Sequence, residues 1–190
     1  TPLALRMRAM ITLPALGLSA LAAAILPIAD GDYGACMALA RTAPDKAIDR
    51  AEAMWTQGAG NRARHCLAIA LITKGRLREA GKVLFDLAGQ SAKAGAAQQP
   101  ELFAQAGRAW IGAGRLKQAE EALSRALALA PGNGGFHLDR AVARGNAGRN
   151  FEALEDLNDA LQIAPGNIEA LVLRAAAWRR VGARDLAEQD

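Results

Sequence analysis

Four glycines, Gly75, Gly114, Gly148 and Gly182, each follow an alanine-rich apolar stretch and precede another, and the last two intervals are 34 residues each. Pro131 and Pro165 keep the same interval, and each opens a Pro-Gly-Asn triplet, Pro131-Gly132-Asn133 and Pro165-Gly166-Asn167. A period of this length, marked by residues that stop helices, constrains the chain to stacked helical units, none of which can bury its apolar face alone. The chain is 52% hydrophobic but only 4% aromatic. That suits close-packed helices with small side chains at their contacts better than sheets, which favour branched and aromatic residues.

The first 29 residues are a separate segment. Arg6 and Arg8 are followed by an uncharged, mostly apolar run from Ala9 to Ala29 and then by Asp30-Gly31-Asp32. This is the layout of a secretory signal, with small residues for a peptidase at Ala20-Leu21-Ala22 and Ala22-Ala23-Ala24. A run of about 20 such residues also suffices for an uncleaved membrane anchor, although Pro14, Gly17 and Pro27 interrupt it. The leader therefore predicts a periplasmic or secreted protein, with anchoring to the inner membrane by residues 9–29 as the alternative. Gly34-Ala35-Cys36 has the small residues of a lipidation site, but Tyr33, Asp30 and Asp32 break its context.

Without the leader's two arginines the chain keeps 21 basic against 19 acidic residues. This balance supplies no electrostatic stripe for a phosphate backbone, which argues against nucleic acid as a partner. The two cysteines, Cys36 and Cys66, are 30 positions apart. In an exported chain an even count favours pairing, and first helices of neighbouring units would bring the sulfurs together; the alternative is two buried small residues that never meet. Cys36, His65 and Cys66 do not form a metal site, because adjacent residues on a helix diverge by about 100° and a fourth ligand is missing.

Within the unit from Pro100, Phe103, Ala106, Gly107 and Trp110 share one face of a first helix that ends at Gly114-Arg115. A second helix carries Ala119, Leu123, Ala126 and Leu127 at three- and four-residue spacings, with Lys117, Glu120, Glu121 and Arg125 toward water, until Pro131 closes the unit. In the small residues Gly107, Ala119 and Ala126, the glycine Gly114 and the closing Pro131, this unit resembles the tetratricopeptide repeat. The next unit repeats the pattern with Ala141, Ala153, Ala160, Gly148 and Pro165. It departs at Arg144, where the family usually places an aromatic residue, so looser packing of that helix is expected. A last unit has Ala175, Trp178, Gly182 and Ala187, and Trp178 is expected to leave an apolar face uncovered.

The units are 30–60, a degenerate first pair; 61–99, a repeat with an extended linker; 100–133 and 134–167, two full repeats; and 168–190, a partial repeat. In 30–60, Tyr33 to Arg41 predicts a short helix. Pro44 opens a second, whose apolar stripe is Ala47, Ile48, Ala51, Met54 and Trp55. The resemblance implies an all-α, right-handed superhelical array of antiparallel helix pairs, a TPR-like α-solenoid preceded by the apolar leader. It also implies a concave groove, lined by first helices, that receives a peptide or helix of a partner protein. Carried over residue by residue, the groove comprises Glu101, Gln105, Arg108, Leu138, Asp139, Val142, Asn146, Glu169, Val172, Leu173, Arg179 and Arg180. A clamp for a C-terminal carboxylate is not implied, since the corresponding places hold Ala104, Arg108, Asp139, Glu169 and Leu173, and two of these are acidic.

No catalytic constellation is evident. His65 and His137 lie in different units without a nucleophile or paired carboxylate, and the glycines mark helix ends rather than a phosphate-binding loop. No catalytic activity, cofactor or metal is expected. The expected function is an exported protein-protein interaction scaffold. The alternatives are a regulatory or assembly module of a larger protein with a further domain beyond residue 190, and self-association through an uncapped C-terminal end.

Overall fold

The computed structural model describes residues 30–91 and 97–190. The leader of residues 1–29, with its signal or anchor assignment, lies outside the described residues, as does part of the linker. The described residues form α1 (Asp30–Thr42), α2 (Pro44–Thr56), α3 (Asn61–Thr73), α4 (Leu77–Ser91), α5 (Gln99–Gly112), α6 (Leu116–Leu129), α7 (Gly134–Asn146), α8 (Asn150–Ile163), α9 (Ile168–Arg180) and α10 (Arg184–Gln189). No strand occurs among the described residues, and none of their helices is long and apolar enough to cross a membrane.

The periodic glycines end the odd-numbered helices by one repeated mechanism. At the end of α5, the Gly114 N–H donates to the Ile111 carbonyl at 3.0 Å and the Arg115 N–H to the Trp110 carbonyl at 2.8 Å. This paired closure satisfies two carbonyls that the helix leaves unpaired, and it requires the left-handed backbone that Gly114 supplies at φ +68°. The same pair of bonds recurs at Gly75, Gly148 and Gly182, and also at Gly58, which ends α2. The Pro-Gly-Asn triplets do more than stop a helix. Asn133 Oδ1 accepts from the N–H groups of Gly135 and Phe136 at 3.0 and 3.3 Å, and Asn167 Oδ1 accepts from Ala170 at 3.1 Å, so each triplet also starts the next helix.

Small side chains let the helices approach closely. A Cβ at Gly81 on α4 would lie 2.5 Å from the Trp110 indole of α5, so the ring packs directly on that backbone. Phe85 completes an aromatic cluster with Phe103 and Trp110 at centroid distances of 5.3 and 5.2 Å. At the amino-terminal end, buried Ala40, Ala47, Ala51, Ala63 and Ala70 surround a Cys36–Cys66 disulfide joining α1 to α3. The carboxy-terminal end packs around Leu138, Leu154, Leu157 and Leu161.

Three expectations need correction. Trp55 is 53% exposed and lies outside the α2 stripe, whose buried members are Ala47, Ala51 and Met54. Trp178 does not leave a bare apolar face. It is partly buried against the Leu138–Leu161 cluster, and the exposed apolar residues of α9 are Ile168 and Val172.

The third is Arg144, which does not loosen α7. It donates to Glu120 at 2.9 Å, to Asp156 at 3.0 Å and to the Glu152 carbonyl at 3.3 Å, filling the aromatic place with a saturated guanidinium. Asp156 is 1% exposed and also receives a forked contact from Arg140 at 3.0, 3.1 and 2.6 Å.

Candidate interaction groove

First helices present their polar side chains to one another along a continuous ladder. Tyr33 on α1 meets His65 Nδ1 on α3 at 2.6 Å, and His65 Nε2 meets Gln105 Oε1 on α5 at 3.3 Å. A single tautomer satisfies both contacts: the Tyr33 hydroxyl donates to Nδ1, while the Nε2–H donates to the amide oxygen. Gln105 Nε2 then donates to Glu101 at 3.5 Å. Arg108 donates to that same carboxylate and, at 2.7 Å, to Asp139 on α7. Four helices are thus connected edge to edge by side chains that leave the α5 residues Glu101 and Arg108 exposed.

The electrostatics of this ladder are uneven. Burial pushes the Tyr33 phenol above its usual value, with Arg62 opposing. Burial also raises the Asp139 carboxyl. Hydrogen bonding and charge from Arg108 pull the other way, but neighbouring Glu101 and Glu169 add to the rise, and the net shift is upward. Arg108 sees two carboxylates, whereas Asp139 sees one guanidinium and two further carboxylates, so the middle of the trough is acidic despite its arginine.

Two cavities flank the ladder. One of about 470 Å³ lies between Tyr33, Arg62, His65, Leu102 and Gln105. The other, about 260 Å³, is lined by Ile69, Ile72, Leu77, Gln105, Arg108 and Ala109. Both are of a size to take individual side chains of a bound segment. Toward α9 the surface becomes more apolar: Val142 is partly buried, and Val172 is 62% exposed. Glu169, Arg179, Arg180 and Asn146 are exposed, and Arg180 reaches the Gly145 carbonyl on α7 at 3.5 Å.

Not every residue assigned to the groove faces it. Leu138 is only 8% exposed and belongs to the carboxy-terminal core, and Leu173 is partly buried against the same cluster. Both sit one position away from an exposed or polar neighbour, and a single step of about 100° around the helix decides between core and solvent. Conversely, sequence reasoning missed Tyr33, Arg62, His65 and Ile69, which extend the trough across α1 and α3. The 34-residue register could not locate them, because the degenerate first units do not keep it.

His137 packs away from the ladder. Its Nε2 meets the Pro131 carbonyl at 3.1 Å, and its Nδ1 lies 3.5 Å from Asp156 and 3.6 Å from Asp159. The ligand atoms of His137, Asp156 and Asp159 fall within 4.8 Å of one another. Arg140 and Arg144 already occupy Asp156, however, so two guanidinium groups stand where a metal cation would be required to bind.

No protein-family model matches this chain, and no curated protein matches it in sequence. Solved structures do match in fold. MamA 41-end from Desulfovibrio magneticus RS-1 is similar with a TM-score of 0.71 at 16% identity, over 86% of this chain and 92% of that one. A crystal structure of MamA is similar at 0.69 and 19% identity, covering 86% and 90%. The nearly identical TPR-like repeats of a kinesin light chain from Podosopora anserina give 0.68 at 18% identity, covering 84% and 89%. The shared fold is the tetratricopeptide-type solenoid of antiparallel helix pairs.

Proposed function

We propose that this protein is an exported interaction scaffold that holds a peptide or helix of a protein partner in the trough of its first helices. The observation carrying this reading is the side-chain ladder from Tyr33 to Asp139. It pre-orders polar groups from four helices along one surface, with apolar cavities beside them, before any partner arrives. Preordering reduces the conformational entropy that binding must otherwise overcome. The groove partner is a segment with both apolar and charged side chains, matching Ile69 and Val172 on one hand and Glu101, Arg108, Asp139 and Glu169 on the other. The fold is one generally used for non-catalytic interaction, and no nucleic acid is implied. The membrane enters only through an uncleaved leader.

Export is supported by the leader's layout and by a buried disulfide, a bond that persists in oxidising compartments. Fusing residues 1–29 to a phosphatase that is active only outside the cytoplasm tests it: activity is expected, and an inactive fusion removes export from the reading. For the groove, photo-crosslinkers at Gln105, Val142 and Val172 are expected to trap the same partner. Crosslinkers at Glu121 and Glu155, on the exposed faces of α6 and α8, are expected to trap none. Reversing Arg108, Arg179 and Arg180 to glutamate is expected to abolish capture with helicity retained. Undiminished capture would move the binding surface elsewhere.

A further inference from the structure

The far side of α3 carries a second recognition surface. At about 100° per residue, Arg62, His65 and Ile69 share one face of this helix, and Ala63, Arg64 and Leu67 lie roughly opposite. On that opposite face an open depression of about 510 Å³ runs between α2 and α3, lined by Ala51, Glu52, Trp55, Ala63, Arg64 and Leu67. Its floor exists because Ala51 and Ala63, both buried, stop at one methyl each. Trp55 stands over it with more than half of its surface in solvent. The Arg64 guanidinium carbon is 5.7 Å from the indole centroid, and its contact with Asp86 stretches to 4.0 Å, beyond hydrogen-bonding reach. The guanidinium therefore has donors left for a carboxylate beside the ring.

We infer that this depression docks a helical segment of a second protein partner, one that presents an aromatic or branched apolar side chain with a carboxylate one turn further on. The apolar side chain fills the space above the two alanines, against Trp55 and Leu67. The carboxylate, about 6 Å away along a helix, reaches Arg64. Glu52 on the rim rejects a second acidic group and fixes orientation. Tryptophan and arginine are the residue types that most often dominate binding energy at protein interfaces, and here they sit together over an unfilled apolar floor. Because the depression lies behind the groove rather than in it, one molecule can hold two partners at once.

The test is a nuclear magnetic resonance titration of the full chain with an alanine-based helical peptide bearing phenylalanine and glutamate four residues apart. The expected result is a shift of the Trp55 indole N–H and of the Ala51 and Ala63 amides, with the His65 and Gln105 signals still. Replacing the peptide's glutamate by lysine should weaken binding by about ten-fold, and Arg64→Glu should invert that preference. Both substitutions are on the surface, and an unchanged circular dichroism spectrum checks the fold. No shift at Trp55, shifts confined to the groove, or equal binding of both peptides overturns the proposal. So does loss of the Trp55 signal with rising protein concentration alone, which would mean that a second copy of this chain fills the depression.

Discussion

The two ends of this molecule hold the same helix-pair geometry by different chemistry. At the amino-terminal end, α1 and α3 are joined covalently by Cys36–Cys66 within a bed of alanines. Toward the carboxy-terminal end, α6, α7 and α8 are joined by charge: Asp156 accepts from Arg140 and Arg144, while Glu120 receives Arg144 and Arg149. A staple acts chiefly by limiting the unfolded chain, whereas a buried ion network acts in the folded state and must be complete to be worth its desolvation. The two ends should therefore fail differently.

Asp156→Ala gives the largest expected loss, because it leaves two mostly buried guanidinium groups without their shared carboxylate. Breaking a buried pair from one side costs about 3–5 kcal/mol, read as a lower urea midpoint with an unchanged slope. A loss below about 1 kcal/mol would show that water reaches the network and that the contrast between the ends is overstated. Next is Cys36→Ser, which opens a loop of 30 residues and is expected to cost roughly 3–4 kcal/mol without reductant and nothing further with it. Equal melting temperatures of wild type and variant under oxidising conditions would remove the staple from the comparison.

Asn133→Ala comes third, at about 1 kcal/mol in thermal melting, since it frees the two N–H groups at the start of α7 without touching either end's special chemistry. The smallest effects concern pH. Burial raises the Glu120 carboxyl, but hydrogen bonds and charge from Arg149 and Arg144 outweigh it, and the net value lies below the usual one. Its contribution is present above the ordinary glutamate range and is lost as pH falls through the depressed value. Asp139 is shifted upward, so its contribution is present in acid and lost as pH rises through the raised value. Urea midpoints measured from about pH 3 to 7 should show Glu120→Gln removing part of the acid-side loss. Asp139→Asn should change stability by less than about 1 kcal/mol at neutral pH, with the opposite slope. Matching slopes for the two variants would contradict the acidic character assigned to the trough's centre.

What could be read from the chain alone follows from how local each signal is. Gly114, Gly148 and Gly182 are visible in sequence because a left-handed helix stop depends on three or four adjacent residues. The disulfide was legible because two cysteines in an exported chain have few alternatives. The ladder from Tyr33 to Gln105 was not, since it joins residues 32 and 40 positions apart across units whose spacing departs from 34. Leu138 and Trp55 show the remaining limit. Both fit an apolar pattern, yet the neighbouring helix, not the pattern, determines which one is covered. Arg144 was misread because its residue type was judged without the three acceptors that other helices bring to it.

One contact recurs in register. Arg140 grips Asp156 and touches Ser124 at 3.2 Å, and Arg174, 34 residues later, grips Asp190 and touches Asn158 at 2.9 Å. Each unit from 134 onward thus carries both a plug for the unit before it and a socket for the unit after it. A tandem copy of residues 134–167 inserted at its own border would find every fastening already in place, so gene duplication could lengthen this protein without redesigning any joint.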